Sequence, residues 1–208
     1  MSDPIDKLLN TMKITSKSRF NASTRIFFIS KISFITTTIL SLGLILIPML
    51  SMIIKEETFS SQTLNIVQVF LAVSVLVYST IIGTAKYEVR AKELDSCGVK
   101  IKNLIREIRA HRAKTNDDAL MNELDKYTEK YNELVESCEN HNRADYIYAQ
   151  LDLSDIYTIT GLHRMALFCK FIFLYIFPYI IPCILILLEV FFLSDLLGIT
   201  QIFVNYLK

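Results

Sequence analysis

The chain has 208 residues, of which 52% are hydrophobic and 21% charged, and its formal net charge is +1. This near balance lacks the basic excess of nucleic-acid-binding proteins, so direct nucleic-acid binding is not expected. The charges are segregated, because long uncharged blocks alternate with charged ones, and this pattern is typical of a membrane protein rather than a soluble domain.

The first 32 residues form a basic segment ahead of the first apolar block. Residues 33–54 follow, and these 22 residues contain no charge. At about 1.5 Å of rise per residue, such a block is long enough to cross a bilayer as a helix, and it is too long for a signal peptide. Its hydroxyl side chains recur on one face at Ser33, Thr37 and Ser41.

A second uncharged block, residues 64–85, follows a short polar connection. Asn65, Gln68 and Ser79 fall along one side of the helix that this block predicts. Polar and small residues on a membrane helix serve helix–helix packing through close backbones and hydrogen bonds. The two polar stripes therefore either join the first two spans or line a water-filled path in an oligomer.

The distribution of Lys and Arg predicts the orientation of these spans. Basic residues are frequent before the first span and after the second, whereas the connection at residues 55–63 holds a single lysine. Because positive flanks remain in the cytoplasm, the N-terminus and the region after the second span are expected there. This location would keep Cys97 and Cys138 reduced. The spacing of these two and of Cys169 and Cys183, in or near the third apolar segment, fits reduced packing residues better than metal ligands or disulfides.

Residues 86–148 predict a cytosolic helical hairpin. Two apolar seams with alternating steps of three and four residues, as in a coiled coil, flank a polar break at residues 114–118. The seam residues are Tyr87, Ala91, Leu94, Gly98, Ile101, Ile105 and Ile108, then Leu120, Leu124, Tyr127, Tyr131, Leu134 and Cys138. Residues 86–112 carry eight basic and four acidic residues, and residues 113–155 carry four basic and eleven acidic ones. Antiparallel pairing is therefore expected, with two separately docked helices as the alternative.

A polar turn after the hairpin contains Asn140, His141, Asp145 and Tyr146. A histidine beside a carboxylate suits proton transfer, so an interfacial enzyme using His141 and Asp145 is one hypothesis. The chain shows no nucleophile elbow, phosphate-binding loop or metal-ligand spacing, and we predict no catalytic, cofactor or metal site. The turn is interpreted as a structural hinge between the hairpin and the last membrane segment.

Residues 149–165 form a polar connector to a third apolar segment at residues 166–193, and residues 194–208 form a tail. The segment is long enough to cross, which would place the C-terminus outside, with the tail along the outer surface. A re-entrant hairpin turning between Pro178 and Pro182 is the competing prediction. Glu189 is a carboxylate within the segment, and it either belongs to an ion pathway or is hydrated near the interface.

These elements predict an all-α membrane protein. It comprises an N-terminal transmembrane helical hairpin, a cytosolic antiparallel coiled-coil hairpin and a third apolar helix that spans or re-enters the membrane. This architecture resembles the SLATT-domain family, the two-transmembrane effector domain of bacterial conflict and antiphage systems. The membrane hairpin, the helix that begins at Lys86-Tyr87-Glu88 and the pairs Asn140-His141 and Asp145-Tyr146 carry the resemblance. The two pairs are most similar to the reverse-transcriptase-associated subfamily.

The resemblance implies an oligomeric, non-enzymatic effector that permeabilises the bacterial inner membrane when a partner senses infection. The implied partners are further copies of the chain, the lipid bilayer and a cytosolic sensor or reverse-transcriptase-type component. A passive scaffold that clusters a cytosolic partner through the hairpin is the alternative function. The candidate pore or packing residues are Ser33, Thr37, Ser41, Asn65, Gln68, Ser79 and Glu189.

Overall fold

The computed structural model describes residues 3–53, 58–115 and 117–207, and this part of the chain is helical without a β-strand. The helices are α1 (Pro4–Ile53), α2 (Ser61–Ala85), α3 (Tyr87–Arg112), α4 (Asp117–Asn122), α5 (Leu124–Glu136), α6 (Arg143–Asp152), α7 (Gly161–Ile176), α8 (Ile180–Leu196) and α9 (Val204–Leu207). The predicted all-α membrane fold is confirmed. Parts of the predictions lie outside the described residues: residues 1–2 of the basic segment, residue 54 of the first span, residues 55–57 of the connection, residue 116 of the polar break and residue 208 of the tail.

Three helical runs in the described part of the chain are long and apolar enough to cross a membrane: Pro4–Ile53, Ser61–Arg112 and Gly161–Leu196. Within the most apolar window of the second and third runs, only 6% of the residues are buried inside the chain. Large exposed apolar surfaces need a cover other than water. Lipid or further protein chains must therefore surround these helices.

The chain folds as two compact units. The first comprises Met1–Phe27 and Tyr87–Ile176, and the second comprises Phe28–Lys86 and Phe177–Lys208. The boundary falls inside α1, which contributes its N-terminal part to the first unit and its C-terminal part to the second.

The first unit is a helical bundle in which the beginning of α1 joins the predicted hairpin. Ile5, Leu9 and Met12 of α1 share a buried core with residues of α3, α4 and α5. Residues 1–32 are predicted as a separate basic segment, but the chain is helical from Pro4, and the beginning of this helix packs on α3. The close approach occurs at Gly98, where a side chain would come within 3.0 Å of the Phe20 ring.

The α3 residues that face this core include the predicted seam. Buried positions on α3 are Ala91, Leu94, Cys97, Gly98, Ile101, Leu104, Ile105 and Ile108. Cys97 and Leu104 lie outside the predicted seam, and they are buried because α3 is covered by α1 as well as by α4 and α5. A coiled-coil seam assumes a single partner helix, so it predicts too narrow a buried face for a helix that is covered on two sides.

Charged pairs flank the contact between α3 and the following helices. Lys130 Nζ lies 2.9 Å from Glu107 Oε1, and Arg90 Nε donates to Glu139 Oε2 at 2.7 Å. Both pairs are substantially exposed, so water screens them and each contributes little to stability. These charges favour the correct partner more than they stabilise the bundle.

All four cysteines are free thiols. Cys97 is buried, and its thiol lies 3.6 Å from the carbonyl of Leu134. Burial, followed by the hydrogen bond with Cys138, raises the pKa of Cys97 to about 12. The thiol is therefore protonated and unreactive at neutral pH. No group of three His, Cys, Asp or Glu residues in the described ranges could hold a metal ion.

The second unit is built from the C-terminal part of α1, from α2 and from α8 and the tail. Leu40, Ile47 and Leu71 form its core together with Phe192, whose ring stacks on Phe59 at a centroid distance of 4.7 Å.

Asp195 fastens the tail to the end of α8. Its carboxylate accepts hydrogen bonds from the Thr200 hydroxyl and from the backbone N–H groups of Ile202, Phe203 and Val204. Phe203 and Val204 pack against the core of the second unit. The tail therefore folds back on this unit.

The third apolar segment is helical from Gly161 to Leu196 apart from a 3₁₀ turn at Phe177–Tyr179. The turn contains Pro178, which cannot donate a helical hydrogen bond. Whether the segment crosses the membrane or re-enters it stays a prediction.

The bundle core provides a test of the first unit. Ile101→Ala should lower the free energy of unfolding by about 2–5 kcal/mol, because Ile101 is fully buried between α1 and α5. Val99→Ala, on the exposed side of the same helix, should change it by less than about 0.5 kcal/mol. Urea titration of the detergent-solubilised protein, followed by circular dichroism, measures both. Equal losses would show that α3 is not packed as described.

Candidate functional site

The polar turn begins α6 with a capping box. The Asn142 side chain accepts a hydrogen bond from the backbone N–H of Arg143, and the Asp145 carboxylate accepts one from the backbone N–H of Asn142 at 2.9 Å. Asn at the N-cap and a carboxylate three residues later satisfy N–H groups that the first helical turn leaves without partners. Asn140 precedes the cap and accepts from the backbone N–H of His141 at 2.9 Å.

Asp145 also binds α1. Arg25 Nε and Nη2 each donate to one carboxylate oxygen of Asp145 at 2.9 Å, and the Asn21 amide donates to the Asp145 carbonyl at 3.1 Å. The side chains of Arg25 and Asp145 are only 12% and 3% exposed. This bidentate pair is shielded from water, so removing either partner would leave the other as a buried charge without compensation.

The two Asp145 partners on α1 had no signal in the sequence. Arg25 and Asn21 are about 120 residues away along the chain, and no local spacing connects them with Asp145. In the sequence, the basic residues of α1 indicated only a positively charged flank.

His141 lies beside this pair but is not oriented by it. Both Asp145 oxygens are engaged by Arg25 and by the Asn142 N–H, and His141 Nδ1 has no hydrogen-bond partner among the described residues. Burial, and then the charge of nearby Arg19, lower the pKa of His141. The imidazole is therefore neutral at neutral pH, and the arrangement lacks the carboxylate-bound histidine of a proton-transfer site. The absence of enzymatic activity itself stays a prediction.

Arg19 of α1 is a further residue near the turn that was not predicted from the sequence. It is 1% exposed, and its Nε and Nη1 have no hydrogen-bond partner in the described ranges. Its charge also lowers the pKa of Glu139, after the larger effect of the hydrogen bond from Arg90. A buried cation therefore lies near the turn that carries Glu139 and His141.

Tyr146 completes the turn. Its ring lies 6.1 Å from that of His141, and its hydroxyl lies 3.2 Å from the hydroxyl of Tyr157. The hydrogen bond with Tyr157, together with burial, raises the pKa of Tyr146. Tyr146 thus connects the start of α6 with the segment that follows it.

In the second unit, some of the predicted polar residues share one open groove. Thr37 and Ser41 of α1 and Ser79 and Gly83 of α2 line a groove of about 530 Å³. The Thr37, Ser41 and Ser79 hydroxyls donate to carbonyls four residues earlier in their own helices, at 2.9, 2.7 and 2.7 Å. Their donors are satisfied within the helix, which leaves oxygen lone pairs available to water in the groove.

The other predicted face residues lie elsewhere. Ser33 is buried, whereas Asn65 is exposed and Gln68 half-buried on parts of α2 that do not line the groove. Glu189 lines a different, apolar pocket. Thr38, which the sequence analysis did not select, does line the groove.

The apolar helices and the charged helical unit define an all-α membrane protein. The chain matches the family described as the SMODS and SLOG-associating 2TM effector domain family 5 over residues 1–193. The chain therefore belongs to this SLATT family, a family of 2TM effector domains, which supports a membrane location. No curated protein and no solved structure matches the chain. The association with reverse transcriptases stays a prediction.

The ion pair between α1 and α6 predicts unequal effects for two isosteric changes. Asp145→Asn leaves Arg25 buried without a counter-charge and should lower the free energy of unfolding by about 3–5 kcal/mol. Glu139→Gln breaks the exposed pair with Arg90 and should lower it by about 1 kcal/mol or less. Urea denaturation of the two variants side by side makes the comparison. Losses of similar size would contradict the structural role of Asp145.

His141 predicts a pH dependence of stability. Its folded-state pKa lies below the ordinary value of 6.5, so below that pH the unfolded chain binds a proton that the native chain does not. The contribution of His141 to the free energy of unfolding is therefore complete above about pH 6.5, and it is lost as the pH falls through the folded-state pKa. Melting curves from about pH 7.5 to about pH 5.5 should show a steeper decline in the wild type than in His141→Gln. Parallel declines would refute the prediction.

Proposed function

We propose that this protein is a non-enzymatic, oligomeric effector of the bacterial inner membrane, which opens a pore when a partner component triggers it during antiphage abortive infection. The observation that carries the proposal is the open groove lined by Thr37, Ser41 and Ser79. Family membership supports the membrane-effector part, and the groove supplies a surface on which water can bind.

The groove combines hydroxyl groups with apolar side chains: Thr37, Thr38, Ser41 and Ser79 lie beside Phe34, Leu42, Ile45 and Ile82. A hydroxyl whose lone pairs face hydrocarbon gains no hydrogen bond there, whereas water or a neighbouring polar helix provides one. The second unit also leaves most of its apolar surface uncovered within the chain. Several copies arranged with their grooves towards a common axis would bury part of that surface and enclose a hydrated path.

The α1 helix gives the first unit a route to the groove. It is an unbroken helix from Pro4 to Ile53, so Arg25 and Thr37 belong to the same element. Arg25 is held by Asp145, and Thr37 lies in the groove. A partner that displaces α6 would act on a helix that also lines the proposed pore.

The proposed topology has the N-terminus and the charged unit in the cytoplasm and the C-terminus outside. The support is the excess of Lys and Arg on both sides of the first two spans. The trigger would then be a cytosolic sensor or a reverse-transcriptase-type component that binds the charged unit, with no direct contact between this chain and nucleic acid.

The groove makes a direct test possible. The triple variant Thr37→Leu/Ser41→Leu/Ser79→Leu should reduce depolarisation by at least about tenfold, because removing three water-binding hydroxyls should raise the barrier by more than about 1.4 kcal/mol. Inducible expression in bacteria with a membrane-potential dye measures the effect.

The matched control keeps the hydroxyls: Thr37→Ser/Ser41→Thr/Ser79→Thr should depolarise as the wild type does at equal abundance in the membrane fraction. Undiminished depolarisation by the leucine variant would refute a pore lined by this groove. Oligomerisation and partner binding without any depolarisation by the wild type would instead favour a passive scaffold.

A further inference from the structure

An open groove lies between α6 and α7 of the first unit. Its volume is about 480 Å³, which is comparable to that of small-molecule sites. A cation, an aromatic ring and apolar side chains share its surface. The lining includes Tyr148, Leu151, Asp152, Arg164, Met165 and Phe168.

One wall of the groove is a face of α7. Arg164 and Phe168 are four residues apart and Phe171 follows three residues later, so these side chains lie on the same face of the helix. The Phe171 ring stacks on Tyr148 of α6, with a centroid distance of 4.8 Å and an interplanar angle of 11°. Met165 and Phe168 are 59% and 51% exposed. The apolar part of the groove is therefore open, beside a packed contact between the two helices.

Arg164 supplies the positive charge of the groove. Its Nη2 donates to the carbonyl of Leu151 at 3.4 Å. This carbonyl belongs to the last turn of α6, where carbonyls have no partner within the helix. The contact uses one of the five N–H donors of the guanidinium, and no carboxylate pairs with Arg164 in the described ranges. The side chain is exposed, so its remaining donors are accessible to a ligand.

Asp152 also lines the groove, but it does not cancel the charge of Arg164. Its carboxylate lies 2.6 Å from Lys17 Nζ on α1, so it already has a cationic partner. Residues 156–188 contain Arg164 and Lys170 but no acidic residue. The groove is therefore electropositive, and a complementary occupant carries negative charge.

The position of the groove indicates what else the occupant contains. The beginning of α7 starts the helical run Gly161–Leu196, which is apolar enough to cross a membrane and is only 6% buried in its most apolar window. Basic pockets beside membrane helices bind the headgroups of anionic lipids. A soluble anion would contact Arg164 but leave Met165 and Phe168 uncovered. A phospholipid carries its phosphate next to hydrocarbon, as the groove places Arg164 next to apolar side chains.

We propose that the groove between α6 and α7 binds one anionic phospholipid, with its phosphate on Arg164 and the beginning of an acyl chain against Met165 and Phe168. The lipid joins the end of α6 to the first turns of α7, because the Leu151 carbonyl also holds Arg164. Bound lipid therefore stabilises the first unit. The site is separate from the hydroxyl-lined groove of the second unit.

The test uses the full chain in a neutral detergent and three additives: phosphatidylglycerol, phosphatidylcholine with the same acyl chains, and glycerol 1-phosphate. Phosphatidylglycerol, as a minor component of the micelles, should raise the Tm saturably, by about 3 °C or more at about ten times its apparent Kd. The other two should give clearly smaller rises, because the first has no net charge and the second has no acyl chain. A response to either that equals the response to phosphatidylglycerol, or no response to any additive, would overturn the proposal without requiring a variant.

Two pairs of substitutions locate the effect. Arg164→Gln should raise the phosphatidylglycerol concentration of the half-maximal shift by at least about fivefold, because a cation–phosphate contact is lost. Lys170→Gln removes the same charge from the same helix outside the lining, where solvent screens it, and should change that concentration by less than about twofold. Met165→Trp fills the groove and should also weaken the response, whereas Leu162→Trp, at an 80% exposed position outside the lining, should not.

Three results would overturn the proposal. Equal losses in Arg164→Gln and Lys170→Gln would show that the lipid responds only to the overall charge of α7. An unchanged response of Met165→Trp would show that no acyl chain enters the groove. A lower particle mass of Arg164→Gln in light scattering, with no distinction between the two lipids by the wild type, would assign the groove to another copy of the chain. Melting temperature is measured without depolarisation, so the result does not depend on the pore.

Discussion

The ion pair between Arg25 and Asp145 is the contact on which the arrangement of the first unit depends. Removing two charges from water is unfavourable, and the pair persists because both carboxylate oxygens are bound in bidentate geometry and one also caps α6. The Asp145 carboxylate thereby determines both where α6 begins and which part of α1 is in contact with α6. Since α6 packs on α7, the same carboxylate positions the helix that leads into the last apolar segment.

Arg19 and His141 show how the unit accommodates a second buried cation. The guanidinium of Arg19 has two nitrogens without partners among the described residues, so a charged imidazole beside it would add repulsion to desolvation. The lowered pKa of His141 avoids this by keeping the ring neutral. The motif that resembles a catalytic pair is therefore better explained as part of the balance of charge around α1.

Sequence patterns predicted the helices themselves more reliably than they predicted which helices contact one another. Ile101 and Ile108 were predicted as buried because the seam of α3 repeats over several turns, whereas Ile5, Leu9 and Met12 show the same spacing among lysines and were not recognised as a third bundle helix. Thr37, Ser41 and Ser79 were selected from stripes and do meet in a groove, but Asn65 and Gln68 do not. A stripe defines one face of a helix but does not determine how the helix is rotated against the next one. Contacts between residues about 120 positions apart, such as that of Arg25 with Asp145, leave no local pattern in the sequence.

The two carboxylates of α8 differ in how the fold compensates for their burial. Asp195 is surrounded by donors from the tail, so its cost of burial is offset and its role is explained by the fold. Glu189 accepts no side-chain hydrogen bond among the described residues, and the absence of a side chain at Gly43 leaves room for its carboxylate. An apolar side chain at position 189 would satisfy the packing at lower cost. The burial of Glu189 therefore costs free energy that the described part of the fold does not offset with hydrogen bonds.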